Sequence, residues 1–340
     1  MSISTVEQLE ADLATPSSAL VADMRTVEGD LLLLGAGGKM GPSLAMLARN
    51  ALDEAGNSAK VIAVSRFSDA AAERRLNDAG VRTVRADLLD EDALSALPDA
   101  PNVIYMAAMK FGATGQEPLT WAMNTYLPGR VAERYRGSRI VAFSSGNVYP
   151  LSPLTSGGPT EDDATGPLGE YAQSVLGRER MFQYFSQRNG TPTVLLRLNY
   201  AVELRYGVLV DLALAIRDGQ PIDVAMGQVN VIWQGDANEA ALRALHHCTA
   251  PATVLNLTGP ETVTVRRLAQ RLGAKLGREP AFEGEEQATA LLNDASRSHA
   301  LFGYPRVPLG SIIDRVGDWV ASGGETHGKP TKFQVRSGIF

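Results

Sequence analysis

Three glycines at three-residue spacing, Gly35, Gly38 and Gly41, lie in the string LLLLGAGGKMG. They follow a run of leucines and open a stretch with helical apolar spacing. Glycine at such a turn lets the backbone approach a pyrophosphate, whose charge then rests against the N-terminus of the next helix. The commoner dinucleotide fingerprint would place glycines at 35, 37 and 40. Position 40 is Met40, so the spacing satisfied is 35, 38 and 41. The strand before and the helix after supply the context such a motif requires. The expected chemistry is dinucleotide binding by Gly35, Gly38, Lys39, Met40 and Gly41; a purely structural tight turn is the alternative. A second strand ends in AVSRF, where an NAD site usually carries an acid for the adenosine ribose hydroxyls. Ser65 and Arg66 stand there instead. A guanidinium can hold a 2′-phosphate bidentately, so Arg66 favours NADP over NAD. It could equally stack on adenine or face solvent.

Elements that would position these groups alternate along the chain. LLLL, KVIAVSR, VRTVRADL, NVIYMAA, RIVAFSS and TPTVLLRLN read as buried strands, with helical stretches between them. One of those, EPLTWAMNTYLPGRVAERY, carries a Pro-Gly interruption. Such alternation argues for an α/β fold, a doubly wound parallel sheet of the Rossmann type with helices on both faces. Past residue 200 the pattern loosens, and beyond about residue 280 no clear period is read. The expected organisation is a helical extension over 1–28 and a dinucleotide-binding domain from 29–199 plus about 231–275. A smaller substrate domain would come from about 200–230 plus 276–340.

A chain of 340 residues suits one large or two fused domains. A net charge of −6 gives no electrostatic reason to expect nucleic acid or an anionic membrane as partner. The single cysteine, Cys248, forbids an internal disulfide and a cysteine metal site. It ends the string His246-His247-Cys248, whose side chains would point about 100° apart on a helix and so do not converge. No metal is expected. The start MSISTVEQLEADL has no apolar core of signal-peptide length, and no run of about 18 apolar residues occurs. A cytoplasmic location is the expectation.

Taken together, these segments make the chain resemble the extended short-chain dehydrogenase/reductases, the group that holds the sugar-nucleotide epimerases and dehydratases. The resemblance runs from about residue 29 to about 260. It is carried by the glycine turn and by ADL, with Asp87 and Leu88 where that family contacts adenine. YMAAMKFG adds Ala107, Ala108 and Lys110, where a family lysine approaches the cofactor diphosphate. NTYLPG from Asn124, FSSGNVYP, TEDDATGPLGEYAQS and NVIWQGDAN complete it. It implies that Ser145 holds the substrate oxygen and that Tyr171 exchanges a proton with it beside a nicotinamide. It implies hydride transfer with a sugar, sugar acid or nucleotide sugar, and a homodimer formed through helices near 117–135 and 171–188. Asn147, Asn199, Arg205 and Trp233 lie in segments that resemble the family's substrate-facing loops, and Tyr206 lies beside them. Arg197 and Asn199 are only two apart, one fewer than the family pattern.

One departure bears on the chemistry. The family keeps a lysine four residues after the tyrosine; here Val175 stands there. A free tyrosine titrates near 10, and proton transfer works best near the operating pH. A nearby cation lowers the phenol by one to several units, and position i+4 on a helix is within about 6 Å. Three readings follow. Another cation, Lys110 first and Arg178 second, replaces the lysine; or the substrate needs little help; or the chain only binds dinucleotide, as a regulator or scaffold.

Overall fold

The run of leucines, Leu31–Leu34, forms the central strand β1 and is buried on both faces. A strand that is apolar at every position belongs in a sheet covered on both sides. β2 (Val61–Ser65), β3 (Arg82–Arg85), β4 (Asn102–Tyr105), β5 (Arg139–Ser145), β6 (Thr193–Leu198) and β7 (Thr253–Leu257) complete a seven-stranded sheet. All its pairings are parallel, in the order β7-β6-β5-β4-β1-β2-β3. These elements come from a computed structural model that describes residues 3–110 and 115–339. The sequence-predicted strands and the doubly wound class are found as expected. β3 is one of the two edge strands and alternates little, with both of its end arginines exposed, as suits a strand with one unpaired side.

Strand order reverses between β1 and β4, and this opens a crevice at their carboxyl ends. Both the glycine turn and the segment after β4 leave from that point. Two apolar clusters cover the faces of the sheet, one including Leu33, Leu44 and Leu255, the other Leu32, Tyr105 and Phe182. A third cluster forms the second core from Val202, Leu209, Trp233, Leu268 and Trp319. The helix Val265–Leu276 packs there, against the helices Val208–Arg217 and Leu309–Ala321. The N-terminal helices divide between cores: Leu9 and Leu13 enter the second, Leu20 and Met24 the first.

Two stretches depart from their sequence reading. The Pro-Gly interruption does not break its helix. The chain runs from Glu117–Trp121 through a π-helical turn, Ala122–Tyr126, into Leu127–Arg134. Pro128 directly follows that π turn, and the chain stays helical although proline cannot donate to the turn before it. The tail past 280 contains the helix Leu309–Ala321, whose buried residues Ile312, Ile313, Val316, Trp319 and Val320 keep a helical period.

Candidate active site

The glycine turn fits a dinucleotide on grounds of space. Gly35 has φ +91°, and a Cβ on it would stand 2.5 Å from the Ala107 nitrogen. A Cβ on Gly41 would strike the Ala36 carbonyl, and one on Gly37 the Ser65 hydroxyl. Gly38 differs: a Cβ there would meet nothing nearer than the Gly35 oxygen at 3.6 Å, so its face is open. The helix Gly41–Glu54 begins with no side-chain cap, leaving its positive end for an anion. Around the crevice, Arg66 is exposed at the end of β2, and Ser65 Oγ accepts a bond from the Phe67 amide at 3.4 Å. Asp87 is exposed and accepts from the Leu89 amide at 3.0 Å; Leu88 and Ala107 are buried, and Ala108 is exposed. Phe111 and Gly112, at the end of the string containing Lys110, lie outside the described residues.

Beside the turn is a cavity of about 240 Å³ lined by Lys39, Lys110, Ser145, Asn147, Tyr171 and Tyr206. Ser145 is the last residue of β5. Its hydroxyl donates to Asn147 Oδ1 at 3.0 Å, accepts from the Asn147 amide at 3.2 Å, and is hydrogen-bonded to the Tyr171 phenol. The phenol and the alcohol thus meet. Tyr171 lies in the first turn of the helix Gly169–Asn189, its ring packed with Val148, Tyr149 and Val175. Burial pushes the phenol up from its ordinary value; the Arg178 guanidinium and the Ser145 hydroxyl pull it back.

Val175 is fully buried in that apolar cluster. Arg178 acts on the phenol by its charge, while its guanidinium is held by other partners. Its guanidinium donates to the Phe143 carbonyl at 2.8 Å and to Asn124 Oδ1 at 2.9 Å. Asn124, in the π-helical turn, has every polar position used. Its oxygen also accepts from the Met109 amide at 2.9 Å, and its nitrogen donates to the Met109 carbonyl at 2.8 Å and Ser174 Oγ at 3.0 Å. The π turn therefore ties the segment bearing Lys110 to the tyrosine helix. Lys110 Nζ stands 5.6 Å from the centre of the Tyr171 ring. Burial pushes its ammonium down to about 8, with Lys332 adding to the effect.

Lys39 was expected only as part of the glycine turn, yet its side chain enters the cavity. Nζ donates to the Ala201 carbonyl at 3.3 Å and lies 4.0 Å from the centre of the Tyr206 ring. Burial pushes it to about 8 as well; Glu203 opposes the shift, while Arg205 and Lys110 add to it. Nothing in the sequence signals this, because side-chain direction in an irregular turn has no period. Tyr200 and Thr331 also line the cavity without having been anticipated.

The substrate-side residues divide. Asn147 and Asn199 line the cavity, and Asn199 Nδ2 donates to Asn230 Oδ1 at 2.8 Å. Arg205 is not brought there: its guanidinium pairs with Glu203 and Glu10, each at 3.2 Å. Trp233 is also elsewhere, 1% exposed in the second core with the Arg315 guanidinium 5.2 Å from its ring centre. An indole at the end of a short buried strand serves packing there. Arg197 holds Glu179 through two bonds of 2.9 and 2.8 Å and the Tyr149 hydroxyl at 2.6 Å. Glu179 in turn accepts from Ser144 at 2.6 Å, so this buried pair ties β5, β6 and the tyrosine helix together beneath Ser145. Among the described residues no cluster of three or more His, Cys, Asp or Glu could hold a metal. Nor is any helix there long and apolar enough to cross a membrane.

A parallel sheet with a glycine turn at its switch point, and a serine–tyrosine pair beside that turn, define a dinucleotide-dependent class. The NAD dependent epimerase/dehydratase family model matches residues 31–257, and the chain belongs to that family, a family of enzymes. No curated protein matches the sequence. Among solved structures, MoeE5 in complex with UDP-glucose and NAD is 21% identical, with a TM-score of 0.71 over 87% of this chain and 99% of that one. UDP-glucuronic acid 4-epimerase from Bacillus cereus in complex with NAD is 19% identical, with a TM-score of 0.72 over 86% and 98%. UDP-glucose 4-epimerase from Thermotoga maritima is 17% identical, with a TM-score of 0.72 over 86% and 99%.

Proposed function

We propose that this chain is a cytoplasmic, homodimeric NAD(P)-dependent oxidoreductase or epimerase acting on a sugar, sugar acid or nucleotide sugar. The hydrogen bond between Ser145 and Tyr171 at the cavity beside the glycine turn carries the reading. Gly35, Gly38, Met40 and Gly41 would hold the dinucleotide, with Ser65, Arg66, Asp87, Leu88, Ala107 and Ala108 along its adenosine side. When bound, it supplies the hydride acceptor. Ser145 holds the substrate oxygen, Tyr171 takes and returns its proton, and Asn147 and Asn199 orient the ring. Lys110 and Lys39, together with the Arg178 guanidinium that already lowers the phenol, supply the positive charge that Val175 does not. Two of the solved neighbours are complexes with NAD; the exposed Arg66 favours NADP.

The rival is a dinucleotide-binding regulator or scaffold, favoured by the buried, uncharged Val175. Purified protein should carry nicotinamide dinucleotide, read by its absorbance. It should then convert UDP-glucose or UDP-glucuronic acid, read at the reduced-nicotinamide band and by product analysis. Tight dinucleotide binding without turnover of any sugar would leave the regulator.

The dimer reading is supported by an exposed apolar surface on the two helical stretches named for it. Trp121, Tyr126, Gly129, Met181 and Phe185 line a shallow groove there, and Tyr126 is 58% exposed. An exposed patch of that kind marks an interaction surface. Tyr126→Glu together with Phe185→Glu should convert a dimer to a monomer in light scattering, and a monomeric wild type would sink this part.

A further inference from the structure

Residues 331–338 run beside the cavity as an irregular strap, and their anchoring is specific. The Thr331 amide and hydroxyl both donate to Asp211 Oδ2, at 2.8 and 2.5 Å. Phe333 is buried, and its carbonyl accepts from the Tyr200 hydroxyl at 3.4 Å. Val335 packs on the Val148, Tyr149, Tyr171 and Val175 cluster. Arg336 donates to the Thr289 carbonyl and hydroxyl, each at 2.6 Å, and to the Ala225 carbonyl at 3.1 Å. Gly338, at φ +75°, abuts Gly169 at the start of the tyrosine helix; a Cβ on Gly169 would strike the Gly338 carbonyl, and one on Gly338 the Leu168 carbonyl.

Between two of these anchors sits Lys332. Its backbone is left-handed, φ +56°, a conformation that costs energy for any residue but glycine and that clusters at functional sites. Lys332 lines, with Lys110, Asn147 and Tyr200, a space of only about 20 Å³, room for about one water. Both lysines thus line the same small space, and the charge of Lys332 depresses Lys110. A half-buried lysine on a strained backbone beside the substrate cavity suits an anion. The glycine turn contributes nothing to the lining of this space, whereas Leu151, Met226 and Leu291 of the second core and its periphery do. The anion expected there belongs to the substrate rather than to the dinucleotide.

We propose that residues 331–338 are a yielding wall of the substrate site, and that Lys332 binds a carboxylate or phosphate of the incoming sugar. The inference rests on the function proposed above. A space that holds one water cannot admit a carboxylate or phosphate, so the strap must shift when the charged group of the sugar enters it. Its anchors are a few hydrogen bonds and two apolar side chains, without a sheet or helix to hold it.

Calorimetric titration of NAD-saturated protein with UDP-glucose and UDP-glucuronic acid tests this. Lys332→Met should weaken binding about tenfold or more, the scale of a lost charged hydrogen bond, while Lys332→Arg keeps most of it. Weakening confined to UDP-glucuronic acid assigns the carboxylate; weakening of both assigns the diphosphate. Equal affinities in wild type and Lys332→Met overturn the proposal, while conversion by the wild type would leave the enzymatic reading intact. A wild type that holds NAD but binds neither sugar overturns both. Hydrogen exchange on the wild type gives an independent readout: either ligand, if bound, should change protection across 331–338, and unchanged exchange there also overturns it.

Discussion

Tyr171→Phe is expected to lower turnover by about 10²–10⁴-fold, the usual range for losing a positioned proton donor, with dinucleotide affinity unchanged. The substitution removes one oxygen and keeps the ring that packs on Val148, Tyr149 and Val175, so the fold has no reason to respond. Steady-state rates on the sugar that turns over, beside fluorescence titration with NAD, give both quantities. Ser145→Ala should cost less, because the serine holds an oxygen without exchanging its proton, even though Asn147 loses its partner as well. If Tyr171→Phe turns over at the wild-type rate, the meeting of phenol and alcohol is structural and the enzymatic reading fails. The expectation is sharpened by environment. Burial moves the phenol away from neutrality, so an unaided Tyr171 would be a poor base, and the cations around it matter as much as the hydroxyl.

Those cations mark the limit of what the sequence could show. The strands were legible because Leu31–Leu34 and Ile140–Ser144 are apolar almost without interruption, a pattern that only a doubly covered sheet explains. The glycine turn was legible because both its spacing and its flanking elements were local. Ser145 and Tyr171 stood out through resemblance, each at the end of an element, and the cavity brings them together. Arg205 and Trp233 were chosen for residue type alone, and type does not say where a side chain points: one found Glu203 and Glu10, the other a core. Lys39 was expected as part of the glycine turn, and Lys332 lies in the stretch beyond residue 280 where no period is read. Both directions depend on irregular chain, where no periodicity constrains them. The helix Leu309–Ala321 was within reach, since its apolar residues do recur at helical spacing, but the polar segments on either side hid it.

Lys110→Met should separate the catalytic value of a buried charge from its cost. Burial lowers this lysine from 10.5 to about 8 in the folded protein, with Lys332 adding to the effect. The unfolded chain binds that proton more tightly, so the folded state carries a penalty, of order 3 kcal/mol at most for a shift of this size. The penalty is fully present below about pH 8 and fades as pH rises toward the unfolded value of 10.5. Removing the amine should therefore raise the melting temperature by a few degrees at pH 7. The gain should shrink steadily between pH 8 and 10, read by calorimetry. Turnover should move the opposite way. In the wild type it should fall as pH rises through about 8, where Lys39 and Lys110 lose their charge. In Lys110→Met it should be low throughout, and Lys39→Met in addition should abolish what remains. Val175→Lys offers the complementary gain, placing an ammonium one helical turn from the phenol; in the Lys110→Met background it should return part of the rate if it folds. Unchanged turnover in Lys110→Met would mean that the charge beside Tyr171 comes from elsewhere, with Lys39 the next residue to remove.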